Sequence, residues 1–167
     1  LIEQALGPQP GSATLLVSER TPTVSTLSQE WVADVQQVPS FAQVDWNAQQ
    51  TVAVTTLDAL IAQYGLPTFC KIDVEGYELA VLEGLSQPIA ALSFEFIPAA
   101  RDVALGCVAR LMTLGHYEFN WAEGERLQLQ PEWQSAAAVT DWLNSHPLTG
   151  NSGDIYSRWV REKADNP

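Results

Sequence analysis

The segment 71–78, with the sequence KIDVEGYE, places one cation and three carboxylates within a short stretch of the chain. Two of its carboxylates, Asp73 and Glu75, are separated by a single residue. A further candidate, Glu95, interrupts the apolar run LSFEF later in the chain. Carboxylates can accept or donate a proton at a reacting oxygen, and Lys71 can orient a carboxylate or hold a charged ligand. These residue types therefore point to acid–base chemistry or to the binding of hydroxyl groups.

The elements around this segment predict that it lies at the edge of a sheet. The run 68–74 is mostly apolar with β-branched members and fits a buried strand, and Gly76 marks a sharp turn after it. In an open α/β sheet, ligands bind beyond the carboxyl ends of the strands. If the strand continued through Glu75, the side chains of Asp73 and Glu75 would point to the same face. Glu95, near the end of the next predicted strand, would then approach Asp73.

Each of these charges also has a purely structural interpretation. Glu75 and Glu78 can complement the positive end of the helix predicted after the turn. Lys71 can pair with Asp73 or with Glu95 across neighbouring strands, because a charge inside an apolar strand is costly unless it is paired. Glu95 can also be a solvent-facing charge at the edge of the sheet. Sequence position alone leaves both interpretations open.

The rest of the chain predicts alternating strands and helices. Strands are predicted at 1–6, 14–18, 51–55, 68–74, 90–97 and 154–160, and helices at 57–64, 79–85, 103–114 and 135–144. Residues 116–129 alternate around a turn at 122–125 and predict a hairpin. Residues 20–46 have no regular pattern, which indicates a surface excursion or a substrate lid whose Trp31 and Trp46 are free to line a pocket. The alternation predicts one α/β domain over residues 1–167 with mostly parallel strands.

Composition narrows the possible partners. The 167 residues suffice for one domain, and a formal net charge of -12 disfavours nucleic acid and anionic membrane as partners. Cys70 and Cys107 lie in apolar surroundings, so we expect reduced cysteines in a cytoplasmic protein, although a disulfide between them is possible. No stretch of the sequence approaches the length needed to span a bilayer. The first residue, Leu1, suggests that the sequence is a piece of a longer chain.

Other chemistries have weaker support in the sequence. His116 follows a predicted helix stop and His146 lies in a loop, and neither has an evident partner. Metal-ligand spacings such as HxxxH or CxxC are absent from the sequence, so we expect no metal. Serine hydrolase chemistry lacks its GxSxG motif. A glycosidase would need carboxylates that are further apart than those of the 71–78 segment.

Several motifs occur in a fixed order along the chain. TLD at 56–58 is followed by YGLP at 64–67, FCKIDVEGYE at 69–78 and VLEG at 81–84. Flanking segments are ALG at 5–7, STLS at 25–28, LSFEF at 92–96 and GDIY at 153–156. This series resembles the signature of FkbM-type methyltransferases over nearly the whole chain, and its central motif is the most specific part.

The resemblance implies a class I methyltransferase fold, which is a Rossmann-like, seven-stranded, mostly parallel sheet with helices on both faces and a C-terminal antiparallel hairpin. It also implies transfer of a methyl group from S-adenosyl-L-methionine (SAM) to a hydroxyl oxygen of a small molecule, such as a sugar or a secondary metabolite. By family position, Asp73 and Glu75 would lie near the methyl donor and acceptor. Ala5 and Leu6 would border the adenine of the cofactor.

The same resemblance assigns chemical roles to the charged residues. Asp73 or Glu75 would accept the proton of the attacking hydroxyl. Lys71 would orient that carboxylate or hold a charged acceptor, and Glu95 would bind substrate hydroxyls. These roles are predictions that follow from family position and from the chemistry of the side chains.

The chain departs from the family pattern at its start. The family begins with a Gly-rich turn after its first strand and an acidic residue after its second strand, and both features bind the cofactor. Neither occurs ahead of the 5–7 segment, and the Gly and Pro residues of 7–11 fit a plain turn. We therefore expect the C-terminal two-thirds of a catalytic domain, with N-terminal strands missing. The alternative is a truncated or degenerate methyltransferase-like chain that acts as a non-catalytic interaction module.

Overall fold

The computed structural model describes residues 1–124 and 128–160. In this described part the strands are β1 Ala5–Leu6, β2 Gly11–Val17, β3 Ala48–Thr55, β4 Cys70–Ile72, β5 Ala91–Phe96, β6 Tyr117–Glu123 and β7 Gly153–Trp159. Its α-helices are α1 Gln29–Val35, α2 Leu57–Tyr64, α3 Glu78–Glu83, α4 Arg101–Leu114 and α5 Ala136–Ser145. Short 3-10 turns occur at Pro22–Val24, Pro39–Phe41 and Pro98–Ala100.

Local capping explains why α2 matches its predicted bounds and why α5 begins one residue after its predicted start. The Thr56 side chain accepts a hydrogen bond from the backbone N–H of Ala59 at the start of α2. Gly65 ends α2 with a φ of 91°, a conformation that disfavours residues with a side chain. Ser135 caps α5 in the same way as Thr56, through the N–H of Ala138. These helices therefore begin and end where side-chain chemistry dictates.

The α/β class is confirmed, but the strands form two mixed sheets. The first sheet has the order β1-β3-β2, in which β1 is parallel and β2 antiparallel to β3. The second has the order β4-β5-β7-β6, in which only β4 and β5 run parallel. The β4–β5 pair is joined through α3, which supplies the helical crossover that parallel neighbours need. The prediction of one mostly parallel sheet is therefore not confirmed.

The local hairpin predicted at 116–129 is not formed in the described residues. The partner of β6 is β7, in an antiparallel register that runs from Tyr117↔Trp159 to Glu123↔Gly153. Residues 128–130 have no regular structure. The Asn120 side chain accepts hydrogen bonds from the backbone N–H groups of Gln130 and Trp121. The predicted turn and return strand also include residues 125–127, which lie outside the described part. A C-terminal antiparallel pair exists, but α5 separates its strands in the chain.

The segment 20–46 is more regular than its sequence predicts. It contains α1, whose Ser28 cap accepts from the N–H of Trp31, and two of the 3-10 turns. Trp31 is 2% exposed and packs edge-on against Phe41 and Trp46, with ring centroids 5.6 and 6.0 Å away. Trp31 is therefore a core residue of this segment, and it also lines a cleft of about 510 Å³, as predicted for an aromatic that can line a pocket.

The main core lies between the second sheet and its helices. Leu92, Phe94 and Phe96 of β5 are almost completely buried, as are Leu82 of α3 and Leu111 of α4. Burying one such side chain fully contributes about 1.5–3 kcal/mol. This packing fixes β5 and the end of β4 as the rigid base of the region described next.

The two cysteines are free, with Cys107 fully buried and Cys70 partly buried. Within residues 1–124 and 128–160, no helix has both the length and the apolar character needed to cross a membrane.

Candidate active site

The charged residues predicted from the sequence meet at one edge of the second sheet. The strands β4 and β5 run parallel, with Ile72 opposite Phe94, so their carboxyl ends lie side by side. Asp73 directly follows β4, and Glu95 lies near the end of β5. Asp154, near the start of β7, is opposite Glu95 in the antiparallel register. Three strand ends thus bring carboxylates to the edge where α/β sheets bind ligands.

A tight turn, and not a longer strand, brings Glu75 to this edge. The strand ends at Ile72, two residues before its predicted end, so the condition under which Asp73 and Glu75 would share one strand face is not met. Glu75 has a φ of 54° and Gly76 a φ of 85°, which reverses the chain within two residues. As a result, Asp73, Glu75 and Glu95 can each offer a carboxylate oxygen such that these oxygens all lie within 4.8 Å of one another.

Backbone groups of the turn are held from two sides. The carboxylate of Glu78 is 2% exposed and accepts hydrogen bonds from the N–H groups of Val74, at 3.2 Å, and Gly76, at 3.1 Å. On the other side, the Thr26 hydroxyl donates to the Glu75 carbonyl at 2.6 Å. Glu78 therefore does more than complement a helix end, which was its structural interpretation. Sequence reasoning noted the 25–28 motif but assigned no function to Thr26.

Lys71 forms ion pairs with two of the carboxylates. Its Nζ lies 3.3 Å from Asp73 and 2.9 Å from Asp154. Burial by itself would lower the pKa of Lys71, but its hydrogen bonds and charge interactions with Asp154 and Asp73 raise that pKa. The sequence predicted Asp73 or Glu95 as the partner. The structure gives Asp73 and adds Asp154, because β7 begins beside β5 and brings Asp154 to this edge.

Burial and mutual repulsion keep two carboxyls partly protonated near neutral pH. Burial, together with the charges of Asp73 and Glu78, raises the pKa of Glu75 to about 7. Burial and the neighbouring carboxylates, Glu75 first among them, raise the pKa of Glu95 to about 8. Burial also raises the pKa of Glu78, while the amide hydrogen bonds of the turn oppose that shift. A group that titrates near the working pH is suited to proton transfer.

Asp73 lies in the wall between two cavities. The first, called the polar cavity, has a volume of about 330 Å³ and is lined by Lys71, Asp73, Glu95, Asp154 and neighbouring residues. The second, called the β1 cavity, has a volume of about 260 Å³. Its lining includes Gln4, Ala5, Leu6, Leu15, Thr26, Leu27, Asp73, Val74 and Tyr77. The predicted cofactor residues Ala5, Leu6 and Asp73 thus line the β1 cavity. Of the predicted catalytic residues, Lys71, Asp73 and Glu95 line the polar cavity, whereas Glu75 lines neither of the two.

A larger cleft of about 510 Å³ lies on the other side of the turn. Trp31, Gly76, Tyr77 and Val103 contribute to its walls. A Cβ atom at Gly76 would overlap the Trp31 ring, so the turn and α1 approach each other as closely as only glycine allows. Tyr77 lines both this cleft and the β1 cavity.

The carboxylate cluster has the chemistry of a cation site as well as that of an acid–base site. Oxygen ligands are those that Mg²⁺ and Ca²⁺ prefer, and Asp73, Glu75 and Glu95 offer one each. The absence of a metal stays a prediction. His146 packs against Phe96, and its Nε2 lies 3.1 Å from the Asn151 carbonyl oxygen, to which it donates when that nitrogen carries the proton, so it is engaged away from the cluster.

Comparison with known proteins gives one result. The family described as the methyltransferase FkbM domain matches residues 1–146 of the chain. This range contains all the residues that line the β1 cavity. It also contains the lining of the polar cavity except for Ser152, Gly153 and Asp154. Searches of curated proteins and of solved structures gave no match.

Proposed function

The chain belongs to the FkbM methyltransferase domain family, and we propose that it transfers a methyl group from SAM to a hydroxyl oxygen of a small molecule. The observation that carries this proposal is the position of Asp73 between the β1 cavity and the polar cavity. Methyl transfer needs a donor and an acceptor held on either side of one reacting point. A carboxylate in the shared wall of two cavities is well placed for that task.

The β1 cavity suits part of the cofactor. Leu6, Leu15 and Leu27 give it apolar walls, as the flat face of a purine requires, and Ala5 adds a small residue beside them. Asp73 contributes negative charge, which attracts the sulfonium centre of SAM. A cavity of about 260 Å³ is below the usual range of small-molecule sites, roughly 300–1,000 Å³, so these residues would hold one portion of the molecule. Bound SAM supplies an electrophilic methyl carbon.

The polar cavity suits the acceptor. In the proposed reaction, a hydroxyl of the acceptor would give its proton to the Asp73 carboxylate while its oxygen forms the new bond to the methyl carbon, whose bond to the cofactor sulfur breaks so that the neutral thioether leaves. The ion pair with Lys71, at 3.3 Å, fixes the orientation of the Asp73 carboxylate. Glu95, whose pKa is about 8, retains a proton near neutral pH and can donate a hydrogen bond to a second acceptor oxygen. An acceptor with neighbouring hydroxyl groups fits this arrangement.

The donor half of the proposal is tested by calorimetric titration of SAM into the folded chain and into two variants. Leu6→Asp places a charge in the β1 cavity, whereas Leu66→Asp is a matched control at an exposed position outside the cavities described above. We expect saturable binding with a dissociation constant of about micromolar to millimolar, roughly -8 to -4 kcal/mol. Leu6→Asp should abolish binding and Leu66→Asp should preserve it. A folded wild-type chain that binds no SAM would contradict the proposal for this chain on its own, and would fit either the missing cofactor-binding segments or the non-catalytic interaction module.

A further inference from the structure

The turn that carries Asp73 and Glu75 has an unfavourable backbone conformation. Glu75 is the one residue other than glycine with a positive φ among residues 1–124 and 128–160. The left-handed conformation costs roughly 1–2 kcal/mol for a residue with a side chain. Such a conformation persists only where surrounding contacts impose it. The contacts that impose it here come from Glu78 and Thr26.

Glu78 anchors the turn from the side of α3. A single carboxylate oxygen of Glu78, Oε1, accepts from the N–H groups of both Val74 and Gly76. These two amides flank Glu75, so the bonds fix the residues on either side of the unfavourable φ. The carboxylate of Glu78 is almost fully buried, which makes loss of these bonds costly for the turn. The charge of Glu78 also lies near enough to raise the pKa of both Glu75 and Glu95.

Thr26 anchors the turn from the side of the 20–46 segment. Its hydroxyl is buried and donates to the Glu75 carbonyl, and the same oxygen accepts from the N–H of Ser28 at 2.9 Å. Backbone hydrogen bonds between Thr26 and Leu16 hold Thr26 to β2. The position of Glu75 is therefore coupled to the first sheet, although β4 and β5 belong to the second.

We propose that Glu78 and Thr26 are positioning residues that clamp the 73–77 turn, so that Asp73 faces both cavities and Glu75 lies beside Glu95. Neither residue has to touch the substrate, because both act on the backbone that carries the carboxylates. The consequence for methyl transfer rests on the proposed function, whereas the clamp itself does not. At Glu78, the hydrogen-bond acceptor and the negative charge can be separated by substitution. A glutamine at position 78 keeps an oxygen acceptor for the two amides but removes the negative charge.

The test compares four variants with a matched control. Glu78→Gln keeps the acceptor, and Glu78→Ala removes it. Thr26→Ser keeps the hydroxyl donor, and Thr26→Val removes it with little change in volume. Glu83→Ala is the control, because Glu83 is an exposed glutamate on the same helix. The readouts are the carboxyl titrations of Glu75 and Glu95 by ¹³C NMR, thermal unfolding, and methyl transfer measured as kcat and KM.

We expect Glu78→Ala to release the turn and lower the pKa of Glu75 towards its usual range, because the carboxyl becomes more exposed. Glu78→Gln should lower the pKa of Glu75 and Glu95 by less, since only a nearby charge is lost. In methyl transfer, Glu78→Ala and Thr26→Val should reduce kcat at least tenfold with a smaller change in KM. Glu78→Gln and Thr26→Ser should restore most of the activity, and Glu83→Ala should match wild type.

Folded Glu78→Ala and Thr26→Val proteins with wild-type titrations of Glu75 and Glu95 would overturn the clamp. If Glu78→Ala does not fold, the Glu75 and Glu95 titrations of Thr26→Val and Thr26→Ser test the clamp instead. Absence of methyl transfer in wild type would contradict the proposed function alone, because the NMR titrations test the clamp without turnover.

Discussion

Two regions of the second sheet carry acidic residues, but they differ in whether those residues are paired with a cation. On the β6–β7 side, Glu118 pairs with Arg158 at 2.6 Å, and the Arg158 guanidinium also lies 4.4 Å from the centre of the Trp133 ring. At the carboxyl end of β4 and β5, Asp73, Glu75 and Glu95 cluster together, and Lys71 pairs with Asp73 of this cluster and with Asp154. The first region satisfies its charges, whereas the second leaves an excess of negative charge partly buried.

The two regions differ in whether the acidic side chains are neutralised by a partner within the fold or remain available to bind a ligand. An exposed ion pair such as Glu118–Arg158 contributes about 0–1 kcal/mol. Crowded, buried carboxylates instead lower stability near neutral pH, because burial disfavours their ionised forms. Residues kept at such a cost are candidates for function.

The largest effect is expected at the turn itself. In Gly76→Ala, the new Cβ would overlap the Trp31 ring and the φ of 85° would be strained. We expect a loss of roughly 3–5 kcal/mol, combining backbone strain with overpacking, measured by urea unfolding. Gly65→Ala is the matched control, since Gly65 has a φ of 91° but open space around it. It should cost only about 1 kcal/mol. Equal losses at both glycines would mean that the contact with Trp31 does not make Gly76 special.

The next effect concerns pH. In the unfolded chain Glu95 ionises near its ordinary pKa of 4.5, whereas the folded protein holds its proton up to about pH 8. The folded state therefore binds more protons between these values, and stability falls as the pH rises through that window. Glu95→Gln should flatten this slope and raise the free energy of unfolding at pH 8 by on the order of 2–4 kcal/mol, each unit of pKa being about 1.4 kcal/mol. Urea unfolding at pH 5 and pH 8 measures it. An unchanged slope would mean that Glu95 is not held in its protonated form.

The smallest effect is expected at the Glu118–Arg158 ion pair on the β6–β7 side of the sheet. Arg158→Gln removes the partner of Glu118 and should change the free energy of unfolding by less than about 1 kcal/mol, with even less effect in high salt. SAM binding and methyl transfer should be unaffected. A loss of activity in this variant would place function around the Glu118–Arg158 pair, which lines neither cavity of the proposed site.

The sequence predicted local features well and non-local ones poorly. Helix α2 was predicted at its observed bounds because Thr56 and Gly65 mark its two ends. Asp73 and Glu95 were brought to one edge as expected, because their strands are neighbours joined by a short crossover. The antiparallel partner of β6 was missed, since β7 follows a helix and its pairing depends on contacts distant in sequence.

The turn conformation was also beyond sequence reasoning. The left-handed φ of Glu75 depends on Thr26, which is 49 residues away in the chain. The burial of Glu78 likewise depends on how neighbouring segments pack around α3. A pattern of residue types indicates which side chains can do chemistry, but it does not show the distant contacts that orient those side chains.

The central claim, that Asp73 is the base between donor and acceptor, is tested most directly by the Asp73→Asn variant. Transfer of labelled methyl from SAM to a panel of small polyhydroxylated acceptors would be measured for wild type and variant, with circular dichroism and SAM binding as checks on folding and on the donor site. We expect the variant to keep its fold and its SAM binding, with turnover reduced about 10²- to 10⁴-fold, the usual contribution of a general base. Turnover equal to wild type would contradict it and move the base to another residue of the cluster.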